Sequence, residues 1–331
     1  MSRVTVVVPQ WNRRDLLVSL LKHLQRQSYP IQEVLIVDNG SDDGSPEAAA
    51  NAGARVLQMG TNAGFSRAVN RGLRECRTEL AAIVNNDVEP SENWLERLVH
   101  ALENPEDGRR PWFATGKLLS ADRTDRIDGT FDTLCRGCCA WRAGHGRPDG
   151  PRWARPRTIR FAPLTAALFR TEVFDRIGYL DESFDTYLED VDFGLRCALE
   201  GLSGVYVPEA VAAHIGSASW GAWNGSTVRR MARNQLLLVA KHYPPGWIQR
   251  YGWQVLVAQS LWGLLALRHG AGWSWLRGKL EAVRMYGSVR GPACGNPARL
   301  EELLAESERE IRELQSETGF DWYWRMYFSL T

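Results

Sequence analysis

The first hundred residues alternate short β-branched runs with amphipathic stretches, and that alternation leaves few folds open to the chain. Val4 to Val8, Val34 to Val37, Arg55 to Met59 and Leu80 to Val84 read as strands, while Leu16 to Leu24, Ala63 to Glu75 and Glu92 to Ala101 read as helices. Strands separated by helices build a parallel, doubly wound sheet. In such sheets ligands sit beyond the carboxyl ends of the strands, and Pro9, Asp38 and the Asn85-Asn86-Asp87 run fall there.

Between about Ser120 and Arg160 this regularity gives way to Gly, Pro and Arg. Seven arginines lie from Arg136 to Arg160 with Asp149 as the only acid among them, a pattern that predicts a long mobile basic loop over 120–160. Periodicity returns with Thr158 to Phe169, a short helix near Glu172, the segment LDESFDTYLEDVDFGLR and a strand at Val205 to Val207, which complete an α/β domain over 1–220. Residues 221–331 read as a helical, tryptophan-rich appendage, with Trp247, Trp253, Trp262, Trp273 and Trp275 close together and Leu300, Leu303, Leu304, Ile311 and Leu314 on one face of a later helix. The run Val255 to Leu267, interrupted by Gln259, Ser260 and Gly263, falls short of the roughly 20 apolar residues that a spanning helix needs. The apolar VTVVVP after Arg3 reads as a buried strand and is too short for a secretory leader.

Forty basic residues face thirty-nine acidic ones, so no global field draws in a polyanion and nucleic acid is not an expected partner. Six cysteines in 331 residues, three of them crowded at Cys135, Cys138 and Cys139, do not form the framework of a small disulfide scaffold. A reducing, cytoplasmic setting fits them. With His145 they sketch a zinc site that lacks a second ligand pair.

No GxGxxG or GxxxxGK[ST] follows any strand, which argues against dinucleotide and P-loop chemistry. In VDNGSDDGS, Asp38 can accept a hydrogen bond from a base or ribose, and a polar turn before a helix accounts for the same residues. In NAGFSRAVNRG, Asn62 and Gly64 open a helix whose amides suit a phosphate, with Arg67 following on it; simple capping accounts for Asn62 equally well. In NNDVEP, Asp87 is a carboxylate at a strand end, able to hold Mg²⁺ or Mn²⁺ against a diphosphate or merely to begin a turn. The densest acidic cluster is Asp181, Glu182, Asp185, Glu189, Asp190 and Asp192, interleaved with Phe184, Tyr187, Leu188 and Phe193. Those aromatic and apolar neighbours imply partial burial, and buried carboxylates need a partner or a task. His214 follows a strand-like VYVP and is a structural histidine or a ligand for a Mn²⁺-like ion.

Taken in order, VVVPQWNRRDLLVSLLKHLQRQ, VDNGSDDGS, NAGFSRAVNRG, NNDVEPSENWL, LDESFDTYLEDVDFGLRCALEG and VPEAVAAH resemble glycosyltransferase family 2, in the branch of rhamnosyltransferases and galactofuranosyltransferases. The resemblance covers residues 3 to 220 and implies a GT-A fold and an inverting transfer from a UDP- or dTDP-sugar to a hydroxyl of a glycan or lipid-linked acceptor. It would put Pro9 and Asp38 at the nucleoside and Asn62, Gly64 and Arg67 along the donor. It would put Asp87 at the metal and diphosphate, His214 in the metal site, and Asp190 at the acceptor as general base. Two departures stand out: asparagines precede Asp87 where the family often has an acid, and Pro163-Leu164-Thr165-Ala166-Ala167 replaces a Gly-rich acceptor block. An inactive GT-A-like module that binds a nucleotide or glycan is the alternative that the NND triplet allows. A nucleotidyltransferase would show a Gly-rich basic loop after its first strand, which is missing. Tryptophan interleaved with Arg and Lys from Trp247 to Lys279 suits a helix lying on the inner face of the plasma membrane, a homodimer contact, or helical core packing.

Overall fold

A computed structural model describes residues 1–105, 108–216, 223–290 and 296–331. In chain order its elements are β1 (Val4–Gln10), α1 (Arg14–Gln25), β2 (Glu33–Asp38), α2 (Ser45–Asn51), β3 (Arg55–Gln58), α3 (Phe65–Glu75), β4 (Leu80–Val84), β5 (Val88–Pro90), α4 (Trp94–Glu103) and β6 (Phe113–Ser120). Then come β7 (Ile127–Gly129), β8 (Asp132–Leu134), β9 (Ala140–Arg142), β10 (Arg157–Ile159), β11 (Ala166–Arg170), α5 (Glu172–Ile177), α6 (Glu189–Leu199) and β12 (Gly204–His214). The helices α7 (Gly225–His242), α8 (Trp247–Arg268), α9 (Gly272–Val289), α10 (Pro297–Thr318) and α11 (Trp322–Leu330) follow. The strands and helices expected over the first hundred residues are all present.

The chain divides into two units that interleave in sequence. The first holds residues 1–131, 144–185 and 193–216; the second holds 132–143, 186–192 and 217–331. The domain boundary expected at 220 lies outside the described residues.

In the first unit a ten-stranded sheet is ordered β10-β12-β6-β11-β4-β1-β2-β3 among the described residues, with β5 on β12 and β7 on β6. Strands β3, β2, β1 and β4 are parallel neighbours. Strand β11 inserts antiparallel to both β4 and β6, and β12 runs parallel to β6. Six strands therefore share one direction, and the fold is a mixed α/β sheet that is mostly parallel, as the alternation implies. Strand β4 is an unbroken apolar run, LAAIV, and β1 is apolar except for Thr5 and the terminal Gln10, as suits strands in the buried middle of such a sheet. Leu17, Leu20, Leu21 and Leu24 of α1 and Leu95, Leu98, Val99 and Leu102 of α4 pack on Val4, Val6, Val8 and Leu80 in one core.

The basic stretch 120–160 is not the loop expected from its composition. It carries β7 to β10 and a turn of 3₁₀ helix at Pro151–Ala154. Its charges are matched by partners remote in sequence: Lys117 Nζ meets Asp149 at 2.8 Å in the first unit, and Arg136 pairs with Glu308 in the second. Composition over a window cannot register such neutralisation.

In the second unit the hairpin β8-β9 packs on α10, with the Leu134 amide donating to Ser307 Oγ at 2.8 Å and the Arg136 amide to Glu308 Oε1 at 2.8 Å. Cys135, Cys138 and Cys139 are buried as free thiols, and among the described residues no cluster of metal-binding side chains surrounds them. Helix α9 packs on α7 through small residues and one buried cation, Lys279. Its Nζ donates to Ala232 O at 2.8 Å, to Gln235 Oε1 at 3.1 Å and to Gln259 Oε1.

Burial pushes the Lys279 pKa from its ordinary 10.5 down to about 7, against a smaller upward pull from Cys139 and Cys138. Between those two values the unfolded chain holds a proton that the native chain releases, so stability rises with pH across that window and is lost as pH falls to about 7. Unfolding free energies of the parent and of Lys279→Met at pH 7 and pH 9 check this. The parent gains about 2 kcal/mol more than the variant over that range, at roughly 1.4 kcal/mol per pH unit once above the native pKa. Equal gains would remove Lys279 as the titrating group.

Candidate active site

The carboxyl ends of β1, β2 and β4 gather one set of polar side chains in the first unit. Gln10, the last residue of β1, lies in register with Asp38, the last of β2. The Gln10 side chain donates to Ser45 Oγ at 2.9 Å and accepts from Asn86 Nδ2 at 2.7 Å, tying the loop after β4 to the start of α2. Asn12 binds the loop after β2 through Ser41 Oγ and the Asp42 amide, at 2.8 and 3.0 Å. Asn12 and Arg13 hold left-handed backbone conformations at that turn. Pro9 sits half-buried opposite Val37.

Asp38 spends Oδ2 on the amides of Gly40 and Ser41, at 3.2 and 3.1 Å, while its buried Oδ1 has no hydrogen-bond partner. Beside it a cleft of about 460 Å³ is lined by Asp38, Gly40, Ser41, Asp42, Gln58 and their neighbours. A second cleft of equal volume, at Leu21, Tyr29, Glu33 and Arg55, faces the amino ends of β2 and β3 and holds none of these side chains.

Asp87 and His214 come together through strand pairing. Strand β5 begins at Val88, the register partner of His214 on antiparallel β12, and the Ile215 amide donates to Asp87 O at 3.0 Å. His214 Nε2 then lies 3.3 Å from Asp87 Oδ1, an ion pair without hydrogen-bond alignment. On its other side His214 Nδ1 is 2.7 Å from Asp128 Oδ2. Burial disfavours the imidazolium, but the Asp128 and Asp87 carboxylates outweigh it and push the His214 pKa up to about 9. Oδ1 of Asn85 is buried and unpaired.

This set fits a hard divalent cation in part. Two ligand atoms each about 2.1 Å from an octahedral ion and at right angles to one another are about 3.0 Å apart, close to the Asp87–His214 separation. Asp128 holds the far nitrogen, as carboxylates commonly do behind a ligating imidazole. Among the described residues no group of three or more His, Cys, Asp or Glu stands ready for a metal, so further oxygens would have to come from a ligand. Cation binding must also displace the His214 proton.

The entry to α3, where Asn62, Gly64 and Arg67 are expected along the donor, makes these contacts within the protein. Asn62 Oδ1 caps the Gly64 amide at 3.1 Å, and Asn39 fastens the same turn through Ala63 N and Gly64 O. The Ser66 amide donates to Asp185 O at 2.9 Å. Arg67 pairs with Glu182 at 3.2 Å. Asn62, Gly64 and Arg67 thus serve the joint between α3 and the 181–185 loop.

Asp190 belongs to the second unit, in the first turn of α6. Its Oδ1 accepts from the Val191 amide at 2.8 Å, and Oδ2 lies 3.9 Å from the guanidinium of Arg142, which also meets Asp132 at 3.3 Å. Tyr187 and Leu188 before it have φ of 75° and 65°, conformations that β-carbon-bearing residues seldom hold. Asn234 Nδ2 binds the carbonyls of Thr186 and Tyr187 at 3.0 and 2.6 Å, and Asp192, fully buried, meets Lys241 and His242 at 2.8 Å each. Helix α7 therefore holds the start of α6 in place.

The family model for glycosyl transferase family 2 matches residues 5–178, and a second, for glycosyl transferase family group 2, matches residues 155–286. The chain belongs to glycosyl transferase family 2. It is a glycosyltransferase, in the rhamnosyltransferase-like branch. It is 28% identical over 263 residues to the N-acetylglucosaminyl-diphospho-decaprenol L-rhamnosyltransferase of Mycobacterium tuberculosis, covering 71% of this chain and 81% of that one. To the O-antigen biosynthesis protein RfbC of Myxococcus xanthus it is 32% identical over 230 residues, 66% of this chain and 18% of the relative. Its fold is shared with the mannosyltransferase PcManGT of Pyrobaculum calidifontis, solved with GDP-Man and Mn²⁺, at a TM-score of 0.53, 18% identity and coverage of 99% and 86%. GalNAc-T7, solved with UDP, GalNAc and Mn²⁺, superposes at a TM-score of 0.63 with 13% identity, covering 96% of this chain and 58% of that one. The GT-A architecture implied by the ordered motifs is the architecture observed.

Several side chains that shape this glycosyltransferase's loops escape a reading of the sequence. Asp128 and Arg142 lie in the stretch that composition marks as loop, and only the strands β7 and β9 aim them. Gln10 and Asn39 sit inside recognised motifs, and their bridging contacts appear only when β1, β2 and β4 are side by side.

Gly64 tests the α3 joint. A Cβ there would stand 1.9 Å from Asp185 Oδ1, and its φ of 93° already disfavours any other residue. Gly53 has a similar φ of 85° and open space around it. Chemical denaturation should show Gly53→Ala losing about 1 kcal/mol from backbone strain alone and Gly64→Ala losing about 2 kcal/mol or more. Equal losses would mean that Asp185 yields freely.

Proposed function

We propose that this glycosyltransferase moves a sugar, rhamnose-like in chemistry, from a UDP- or dTDP-sugar to a hydroxyl of a glycan or lipid-linked acceptor, with inversion at the anomeric carbon. One observation carries the donor side: at the carboxyl ends of β2 and β4, Asp38 Oδ1 and Asn85 Oδ1 are buried without hydrogen-bond partners, and Asp87 Oδ1 has His214 as an ion-pair neighbour at 3.3 Å without hydrogen-bond alignment. Buried acceptors left unmade are costly, and a bound ligand or cation that supplied donors or positive charge here would offset that cost.

Asp38 lines the cleft, and its carboxylate accepts the imide N–H that uracil and thymine both present, with Pro9 toward the nucleoside. Asp87 and His214 hold Mn²⁺ or Mg²⁺, which when bound supplies Lewis-acid charge at the leaving diphosphate. Asp128 fixes the imidazole so that Nε2 is the nitrogen turned toward Asp87. Asp190 accepts the proton of the acceptor hydroxyl as that oxygen attacks, while Arg142 orients its carboxylate. The acceptor class draws support from the relative named for N-acetylglucosaminyl-diphospho-decaprenol, and a place in cell-envelope polysaccharide synthesis from that relative and RfbC.

A thermal-shift panel of nucleotide sugars with and without Mn²⁺ tests the reading, because a ligand that binds only the native state raises its melting temperature. The expected result is a shift with a UDP- or dTDP-sugar that needs Mn²⁺ and disappears in Asp87→Ala. Asp190→Asn should keep that shift and lose transfer by about 10²-fold or more. Turnover retained in Asp190→Asn would remove it as the base, and a metal-dependent shift retained in Asp87→Ala would remove Asp87 from the cation.

A further inference from the structure

Helices α8 and α9 bury part of their large apolar side chains, Trp247, Val257 and Leu261 among them, with Trp262 and Trp275 packed on the cluster of Val228, Ala266 and Ala271, and leave the rest exposed. On α9 the buried positions are Gly278, Lys279 and Ala282. Trp273, Leu276, Leu280 and Val283, spaced three or four apart and so on one face, are exposed, Trp273 by 63% and Val283 by 67%. Helix α8 repeats the arrangement: Val257, Ala258, Leu261 and Ala266 are buried, while Trp253, Leu256, Leu264 and Leu267 are exposed. A short turn joins the two helices, with Leu267 against Gly272 and the Ala271 amide donating to Ala266 O at 2.8 Å, so that the α8 stripe ends next to the start of α9. Scattered exposed leucines are ordinary, but two such stripes of Trp, Leu and Val mark an interaction surface.

Charge identifies the occupant. From Trp247 to Arg290 the chain carries Arg250, Arg268, Arg277, Lys279, Arg284 and Arg290 against a single acid, Glu281. Lys279 is buried, and Glu281 pairs with Arg229 at 3.4 Å. Arg277 and Arg284 fall four residues after Trp273 and Leu280, within the exposed stripe, and the Arg277 guanidinium lies 5.4 Å from the centre of the Trp273 ring. Arg250 is matched by Glu301 of α10 at 2.6 Å, and a second copy of this face would set the exposed Arg277 and Arg284 against arginine. An anionic bilayer meets both requirements: headgroup phosphates pair with the guanidinium groups, and the boundary with the hydrocarbon takes up tryptophan and leucine.

We propose that the exposed face of α8 and α9 docks on the surface of an anionic phospholipid bilayer. No helix among the described residues is long and apolar enough to cross one, so the contact is interfacial. The surface is separate from the residues assigned to sugar transfer and does not rest on that assignment.

Flotation of the full chain with phosphatidylcholine vesicles, with and without phosphatidylglycerol, tests the proposal. The parent should float with the phosphatidylglycerol vesicles, weakly with phosphatidylcholine alone, and less as salt is raised. The double variant Arg277→Glu with Arg284→Glu should bind about tenfold less or weaker still. Trp273→Ser with Leu276→Ser should also weaken binding, and both variants should melt where the parent does, since all four side chains are exposed. Failure of the parent to float with anionic vesicles would overturn the proposal, as would unchanged binding by both variants. A parent dimer in sedimentation equilibrium that Trp273→Ser with Leu276→Ser dissolves would overturn it in favour of a second copy.

Discussion

The register of β12 is the constraint on which the grouping of Asp87, His214 and Asp128 depends. This strand runs parallel to β6 and antiparallel to β5, and its pairing with β6 shifts between Val207 and Val211, so that His214 falls opposite Val88 and Ser120. A slip of one residue would turn the His214 ring to the other face of the sheet. Strand β7, paired with the outer part of β6, places Asp128 on the remaining side of that ring. One imidazole between two carboxylates thus follows from three strand pairings, and its raised pKa follows from the same geometry.

The second unit faces a different problem, which is to hold the start of α6 in a conformation that its residues do not favour. Tyr187 and Leu188 sit at positive φ, and such strain persists only where the surroundings over-determine it. Here the restraint is Asn234 on two consecutive carbonyls, together with Asp192 buried between Lys241 and His242. Breaking a buried charge cluster of this kind leaves an uncompensated ion, which makes it a firm anchor even where its net contribution is small. The helical region read from the sequence as an appendage therefore builds part of the framework around Asp190.

Legibility in the sequence followed the range of the interactions. Strands β1 to β4 and the helices between them were readable because apolar periodicity is local and survives in any chain that buries those faces. The 120–160 stretch was misjudged because its order comes from contacts such as Arg136 with Glu308, which no window spans. A polar turn at Asn62 ahead of α3 is readable, whereas Gly64 as the N-cap and the Ser66 amide's engagement with Asp185 are not. Tryptophans in α8 and α9 were visible, but not which of them faced outward, since a core helix and a surface helix share one pattern until their neighbours are known.

By itself the sequence determined the α/β class, the family, and the presence of Asp38, Asp87, Asp190 and His214 in ordered motifs, because strand and helix periodicity and motif order are properties of neighbouring residues. Only the tertiary structure decided that His214 stands between Asp87 and Asp128, that Arg142 comes within 3.9 Å of Asp190, and that α9 turns Gly278 and Ala282 inward and Trp273, Leu276 and Leu280 out. Those outcomes depend on strand register and helix packing between segments far apart in the chain, and no local pattern encodes which distant side chain will complete a site.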